Sequence, residues 1–498
     1  MSRRRSLLLV TVDCLRADHV GFMGYQRPTT PFLDGLAQES IVVPAAIVAG
    51  VPTYYSFPAI LASRFPLALG RDVVGIAPGE PTLATVLQDA GFATACFSAG
   101  NPYISSRFGY QQGFHLFQDF LNDATPTAED SEEGRQGQIG WRRRINRALQ
   151  KALPASGFLG SLYDDLYFEY CQRTTPVPES LDALRRFPSA DVLVDRAIDW
   201  VSSLGDVPFF LWLHLMDPHA PYYPKDAALS SMTGSQSIAP YRARYLNSYW
   251  NRSDLKPSRL KGYKDQVIGL YDAGIRWVDQ QVARLVQSLQ SSQRWDECIF
   301  ALTADHGEEF LEHDGRYHAP SGLAEELIRV PLLVRIPGET KREQGMAPFS
   351  LIHLAPTLLD SLEVPASTQF KGKSQLNRLH SGGDVDEVAI SECVQGCTNP
   401  FHRQNRNGQK ILSIRGRRFK LVMHFEDGTE SLYDLESAAG ERQALSPGAE
   451  KATRRRMLEI ANEHMRSSKT NDQRLRLRAV LRDIQLELPG LPKAATRL

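Results

Sequence analysis

The sequence lacks a long apolar run. In 498 residues, no stretch approaches the roughly 20 apolar residues that a membrane-spanning helix requires. The richest run, FFLWLHLM from Phe209, has the length of one strand. The N-terminal MSRRRSLLLV resembles a secretory signal, but its apolar part is short and no small-residue cleavage site follows it. We therefore expect a cytoplasmic protein without a transmembrane segment.

The chain has no excess of positive or negative charge, and its cysteines form no regular pattern. Its 57 basic and 57 acidic residues give a formal net charge of +0, so we predict no nucleic-acid partner. Its six cysteines show no regular spacing, which is typical of a reducing compartment. Cys393 and Cys397 would supply half of a zinc site, but no second pair accompanies them, so two ordinary thiols are favoured.

Short apolar runs alternate with helical patterns, which predicts a layered α/β fold. Strands are expected over residues 6–12, 93–99, 208–216, 298–304 and 330–336. Apolar residues at helical spacing predict helices over 190–204, with Ser189 as the N-terminal cap, and over 265–289.

Changes in composition and apolar pattern along the sequence predict three parts. Residues 1–372 form the catalytic domain, with a less regular insertion at about 122–186 that is expected to be a helical segment or lid. Residues 373–450 carry alternating runs typical of antiparallel strands in a small subdomain. Residues 451–498 form a basic tail, for which a solvated helix is favoured over a contact with an anionic partner or another subunit.

Polar groups follow several predicted strands, where open α/β sheets place their ligands. Asp13 follows the first strand, and the adjacent pair Asp305 and His306 follows the strand over 298–304. A lone strand-end aspartate is usually a cap, but an aspartate beside a histidine offers one cation both an oxygen and a nitrogen ligand. His219 and His318 lie in loops with proline or glycine, which favours an anion site over two surface histidines.

Several segments together resemble the sulfatase family of the alkaline phosphatase superfamily. They are VTVDCLRADHVGFMGYQRPTTPFLDGLA from residue 10, HLMDPHAPYYP from 214, TADHGEEFLEHDGRYHAP from 303 and IRVPLLVRIPG from 328. The resemblance covers about residues 7–372, and SLYDLES from Ser431 resembles the family's C-terminal part. It implies an alkaline-phosphatase-like α/β/α sandwich with a large mixed central sheet, plus a small C-terminal α+β subdomain.

The resemblance also implies a site with one divalent metal ion. The implied roles are metal binding by Asp13, Asp305 and His306, contact with the transferred anion by His219, proton donation to the leaving group by His318, and a further substrate contact by Asn101.

The sequence departs from the family at the nucleophile. Sulfatases oxidise a Cys or Ser in a Cys-x-Pro-x-Arg type motif to formylglycine, and GVPTYYSFPAILAS from Gly50 does not supply that motif. Alignment places Thr53 at the modified position, which implies an unmodified threonine nucleophile that also binds the metal. A helix cap is the non-catalytic interpretation of Thr53, and Ser56 is the rival hydroxyl.

Two further departures concern the metal. Cys14 stands where many members have another metal-binding aspartate, and His306 stands where calcium-dependent members commonly have asparagine. This set is less typical of Ca²⁺ and favours Mn²⁺ or Zn²⁺, with Mg²⁺ and Ca²⁺ left open. A second metal bound by Asp217, His219 and His318 is an alternative that the spacing of the first two does not favour.

We therefore expect a metal-dependent hydrolase, or a transferase, of phosphate mono- or diesters that acts through Thr53 on a small or polymeric anionic ester. The first alternative is a sulfatase acting on sulfate esters. The second is a degenerate member that binds an anion without turnover, and the intact set of Asp13, Asp305 and His306 argues against it.

Overall fold

The computed structural model describes residues 4–121, 158–176, 180–233, 238–318, 322–339, 345, 347–381, 387–425, 427–467 and 480. The strands are β1 Ser6–Val12, β2 Ile41–Ile47, β3 Ala93–Ser98, β4 Leu116–Gln118, β5 Phe209–Leu215, β6 Cys298–Ala304, β7 Glu309–Phe310, β8 Arg316–Tyr317, β9 Arg329–Arg335, β10 Phe349–Ser350, β11 Ala389–Val394, β12 Lys410–Arg415, β13 Phe419–His424 and β14 Thr429–Asp434. The helices are α1 Pro31–Leu36, α2 Thr53–Ala62, α3 Leu83–Asp89, α4 Phe158–Thr174, α5 Ala190–Ser203, α6 Asp226–Thr233, α7 Pro240–Trp250, α8 Pro257–Leu260, α9 Lys264–Ser291, α10 Glu325–Ile328, α11 Leu354–Ser361, α12 Leu376–Ser381 and α13 Lys451–Ser467.

The central sheet has eight strands in the order β10-β2-β9-β6-β1-β5-β3-β4. β1 is parallel to both of its neighbours, β5 and β6, whereas β9 is antiparallel to β6 and to β2. Every residue of β1 is buried, as expected for a strand covered by helices on both faces of the sheet. The predicted mixed sheet and α/β/α sandwich are confirmed.

All five predicted strands of this sheet are present within one or two residues of their predicted bounds. The sequence analysis missed β2, because Pro44 interrupts its apolar pattern and the pairing with β9 shifts register between Val43 and Ala46. It also missed β4 and β10, which are short strands at the two edges of the sheet.

Helix α5 begins at Ala190 with Ser189 as its N-cap residue, as predicted, but the Ser189 side chain accepts no hydrogen bond from the first turn. The Ser189 hydroxyl donates to Asp217 Oδ1 at 3.2 Å, and the amide of Ala190 donates to Asp217 Oδ2 at 3.1 Å. A carboxylate from the loop after β5 therefore satisfies the helix start, because it accepts from the buried Ala190 amide that Ser189 leaves unbonded.

A second, antiparallel sheet has the order β11-β12-β13-β14. Helix α13 packs on it through Met457 and Ala461. The amide of Glu392 donates to Ala49 O at 2.9 Å and the Ser391 hydroxyl donates to Val48 O at 2.6 Å, so β11 supports the segment between β2 and α2. The small C-terminal α+β unit is confirmed, whereas the domain boundary at 372/373 stays a prediction.

Two predicted segments lie partly outside the described residues. They are residues 122–157 and 177–179 of the predicted insertion, and residues 468–479 and 481–498 of the predicted basic tail. Of the helices in the described part of the chain, none combines the length and the apolar character that crossing a lipid bilayer requires.

Candidate active site

Asp13, Asp305 and His306 meet at one edge of the central sheet. Asp13 directly follows β1, and the other two directly follow β6, its parallel neighbour. His306 Nε2 lies 3.4 Å from Asp305 Oδ2 and 3.8 Å from Asp13 Oδ1. All three side chains are fully buried, and one ligand atom from each lies within 4.8 Å of the others.

Thr53 is the first residue of α2 and faces this group. Its Oγ1 lies 3.1 Å from His306 Nε2, and the residue is only 3% exposed. The carbonyl of Pro52 accepts the amides of Tyr55 and Ser56, which starts the helix at Thr53. Ser56, the rival hydroxyl, is also buried, but its Oγ has no hydrogen-bond partner in the described residues. Of these two hydroxyls, the structure brings Thr53 to the histidine.

The pKa values of the two carboxyl groups, Asp13 and Asp305, are shifted in opposite directions. Burial raises the pKa of Asp13, but nearby His219, His214 and His306 outweigh it and hold the pKa well below its ordinary value. Burial and the charge of Asp13 raise the pKa of Asp305 well above its ordinary value. The pair therefore carries negative charge that a cation between the two groups would balance.

This donor set fits a divalent cation. Asp305 Oδ2 is buried without a hydrogen-bond partner in the described residues, which is costly unless something else pairs with it. Burial, reinforced by neighbouring His318, lowers the pKa of His306 to about 3, so the imidazole is in the neutral form that binds metals. Two carboxylates, one neutral imidazole and the Thr53 oxygen suit Mn²⁺, Zn²⁺ or Mg²⁺.

His219 and His318 lie beside the same group, with ring centroids 5.1 Å apart. His219 Nδ1 bonds the carbonyl of Ala220 at 2.5 Å, and burial lowers the pKa of His219. The His318 ring lies 4.5 Å from the His306 ring, and its Nδ1 is 3.2 Å from Glu308 Oε1. Burial acts to lower the pKa of His318, but the Glu308 carboxylate raises it above its ordinary value. His318 is thus the more readily protonated of the two.

Asn101 and Cys14 both contact Asp13. Asn101 Nδ2 donates to Asp13 Oδ2 at 3.0 Å, so the Asn101 amide contacts a candidate metal ligand directly. Cys14 Sγ donates to Asp13 Oδ1 at 3.1 Å and lies 3.3 Å from His318 Nδ1. Burial, with the charge of Glu308, raises the pKa of the Cys14 thiol well above its ordinary value, which keeps it a neutral donor.

Asp217 does not join His219 and His318 in the alternative second metal site. That carboxylate accepts from Arg185 Nη2 at 2.6 Å and from the start of α5. Its hydrogen bonds therefore tie it to Arg185 and the start of α5, and no group of potential metal ligands in the described residues includes it.

Sequence analysis missed three residues around the site. Glu308 bonds His318, the Tyr222 hydroxyl donates to Glu308 Oε2 at 3.0 Å, and His214 Nε2 lies 3.3 Å from Asp13 Oδ2. Glu308 lies two positions after His306 and could have been suspected from TADHGEEF. His214 sits within the most apolar run of the chain, and nothing in that run sets it apart from the core.

The sequence matches a family of ester hydrolases of the alkaline phosphatase superfamily, and the fold agrees with it. Residues 5–364 match the family model described as Sulfatase, so the chain belongs to the sulfatase family. Residues 314–467 match a second model, described as N-sulphoglucosamine sulphohydrolase, C-terminal. The resemblance inferred from the sequence is thereby confirmed.

Individual relatives are distant. A multifunctional alkaline phosphatase superfamily protein, PehA, of Trinickia caryophylli is 22% identical over 480 residues, which covers 87% of this chain and 90% of PehA. A sulfatase of Formosa agariphila is 27% identical over 279 residues, and that match spans about half of each protein, 51% of this chain and 50% of the relative. The crystal structure of a phosphonate monoester hydrolase of Agrobacterium radiobacter aligns with a TM-score of 0.63 at 18% identity, covering 93% of this chain and 95% of that one, which shows a shared fold.

Proposed function

We propose that the protein hydrolyses phosphate mono- or diesters, or transfers their phosphoryl group to an acceptor alcohol, with Thr53 as the nucleophile. The observation that supports this most strongly is the position of Thr53 Oγ1, 3.1 Å from His306 Nε2 at the start of a helix. The neighbouring carboxylates of Asp13 and Asp305 complete a set that suits a divalent cation.

The residues divide the work as follows. Asp13, Asp305 and His306 would hold a divalent cation, which would favour the ionised form of the Thr53 hydroxyl and offset negative charge on the ester. Thr53 Oγ1, its proton released to solvent, attacks phosphorus as the bond to the leaving oxygen breaks. His318 donates a proton to that oxygen. A later attack by water or an alcohol on phosphorus returns a proton to His318 and releases Thr53, whose oxygen regains its proton from solvent.

Neutral donors and partial charges hold the anion. The donors are His219, Asn101 and the amides of the first turn of α2. The helix amides are available because the first amides of a helix lack intrahelical partners. Each of these groups lies on a different segment of the chain but on the same edge of the sheet. A site of this kind recognises a tetrahedral oxyanion through its oxygens and leaves the rest of the ester free to differ.

A second candidate function is sulfate ester hydrolysis. The match of residues 314–467 to a model described by a sulphohydrolase name favours it. Thr53 argues against it, since a threonine sulfate lacks the exit that the aldehyde hydrate of formylglycine provides. A member that only binds anions is disfavoured by the intact set of Asp13, Asp305 and His306 with the Thr53 hydroxyl beside it.

The test is a paired assay on one leaving group. Aryl phosphate, aryl phosphodiester and aryl sulfate esters are compared after chelation and reloading with Mn²⁺, Zn²⁺, Mg²⁺ or Ca²⁺, with Thr53→Ala as the matched control. We expect phosphoryl substrates to react faster than the sulfate, activity to disappear on chelation, and the control to be inactive with every metal. Faster sulfate turnover by the wild type would overturn the proposal in favour of the second candidate.

A further inference from the structure

Lys420, on β13 of the second sheet, is fully buried. Its Nζ donates to the carbonyl of Leu323 at 2.5 Å and forms ion pairs with Glu441 Oε1 at 2.7 Å and Glu325 Oε1 at 3.3 Å. Taking an ammonium group out of water is costly unless several partners meet it. Here the Leu323 carbonyl accepts one hydrogen bond and two carboxylates balance the charge.

Two of these partners hold the start of helix α10. Glu325 is its first residue, and the amide of Glu325 donates to Glu441 Oε2 at 2.7 Å. Glu441 therefore bridges Lys420 and the helix start, while Leu323 anchors the chain just before it. The second sheet thus fixes both the backbone entering α10 and the first residue of the helix.

Helix α10 in turn contacts the loop that carries His306. The amide of Gly307 donates to Leu327 O at 2.9 Å, and a Cβ added at Gly307 would lie only 1.9 Å from Glu326 O. The carbonyl of Gly307 bonds His306 Nδ1 at 2.9 Å. That bond fixes the ring so that Nε2 faces Thr53 and the carboxylates.

The same helix also reaches the other side of the site. The amide of Val48, in the segment between β2 and α2, donates to Ile328 O at 2.9 Å. A shift of α10 would therefore displace the loop of His306 and the segment leading to Thr53 together.

We propose that Lys420 is a positioning residue for the active site. It holds α10 against the loop of His306 and thereby sets the orientation of the imidazole, although it belongs to the second sheet and is not placed among the reacting groups. This inference rests on the proposed function in one respect, the role of His306 as a metal ligand.

The test measures metal affinity and stability in the same variants. Lys420→Met keeps an unbranched side chain as far as Cε but removes the charged Nζ. We expect its Mn²⁺ binding, measured by calorimetry, to weaken about 10-fold or more, as is common when the residue that orients a ligand is lost. The matched control is Arg454→Met. Arg454 is 9% exposed and pairs with Glu430 at 2.5 Å within the same small unit, where it contacts β14 instead of α10. We expect the control to lose folding stability in urea while its Mn²⁺ affinity stays that of the wild type.

Two further variants separate positioning from stability, and they serve if Lys420→Met alone does not fold. Lys420→Arg keeps a cation and should retain most of the affinity. Lys420→Met combined with Glu441→Gln removes one of the two carboxylate charges that Lys420 balanced, and Arg415, 3.4 Å from Glu325, still pairs with the other. Stability should therefore recover while affinity stays low, because the bond to Leu323 is still missing. Wild-type Mn²⁺ affinity in a folded Lys420→Met or in the double variant would overturn the inference and leave the proposed function standing. A wild-type protein that binds no divalent cation would refute the metal site itself, and the inference with it.

Discussion

Thr53 Oγ1 and His306 Nε2 lie 3.1 Å apart, although 253 positions separate the two residues in the chain. The contact joins the first residue of α2 to the loop after β6. A hydroxyl that only capped the helix would accept a hydrogen bond from an amide of the first turn. The N-cap residue of α2 is Pro52, whose side chain makes no such bond. The hydroxyl is turned to the site.

We therefore expect Thr53→Ala to lose nearly all turnover, by about 10³-fold or more, because a nucleophile is not replaced by its neighbours. Its Mn²⁺ affinity should fall much less, since Asp13, Asp305 and His306 remain. Steady-state kinetics and calorimetry on the same preparation measure the two effects. Ser56→Ala is the matched control in the same helix and should keep wild-type kcat, and turnover by Thr53→Ala equal to that of this control would refute the assignment.

His318→Ala should slow esters with poor leaving groups far more than activated aryl esters. A poor leaving group needs a proton in the transition state, whereas an activated aryl oxide leaves without one. The measurement is kcat/KM across a series of leaving groups of graded acidity. His313→Ala, an exposed histidine in the same loop that pairs with Glu326, is the control and should leave the slope of that series unchanged. Equal losses on all esters in His318→Ala would speak against proton donation.

The stability of the protein should fall as pH rises through the titration of Glu309. Burial, reinforced by the charge of Glu326, raises the pKa of this 3% exposed carboxyl to about 7. Its folded pKa exceeds the value of 4.5 expected in the unfolded chain, so the native state holds the proton more tightly between these values. The favourable contribution is complete below about pH 4.5 and is lost by about pH 7, at a cost of about 3 kcal/mol at most.

Glu309→Gln should therefore unfold at a higher urea concentration than the wild type at pH 8 and at a similar one at pH 4.5. Urea midpoints at the two pH values measure this difference. If the urea midpoint of Glu309→Gln exceeds that of the wild type by the same amount at both pH values, Glu309 does not account for the pH dependence of stability.

Gly307→Ala should weaken metal binding as well as folding. The added methyl group would meet the carbonyl of Glu326 at 1.9 Å, so the loop of His306 must move away from α10. Gly322→Ala is the control, because a Cβ there meets nothing within 4 Å. We expect calorimetry to show at least about a 10-fold loss of Mn²⁺ affinity in Gly307→Ala only. An unchanged affinity in a folded Gly307→Ala would contradict the coupling between this loop and the metal ligands.

The sequence predicted the central strands, because buried parallel strands are nearly continuous apolar runs, and it placed Asp13, Asp305 and His306 at strand ends that share one edge. Their joint role was implied by the resemblance to the sulfatase family. Glu308 and His214 could not be assigned, because their roles depend on where each side chain points. The true partner of Asp217 was missed for a related reason. Arg185 precedes it by 32 positions, in a part of the sequence whose pattern gave no indication of a contact.

The site's groups come from early and late parts of one chain, and β1 gains its neighbour β6 only when residues 298–304 are in place. A ribosome must therefore have released well over half of the polypeptide before any ion could find its ligands together. An ion held by Asp13, Asp305 and His306 would therefore add its binding energy to the assembled sheet and not to the early chain.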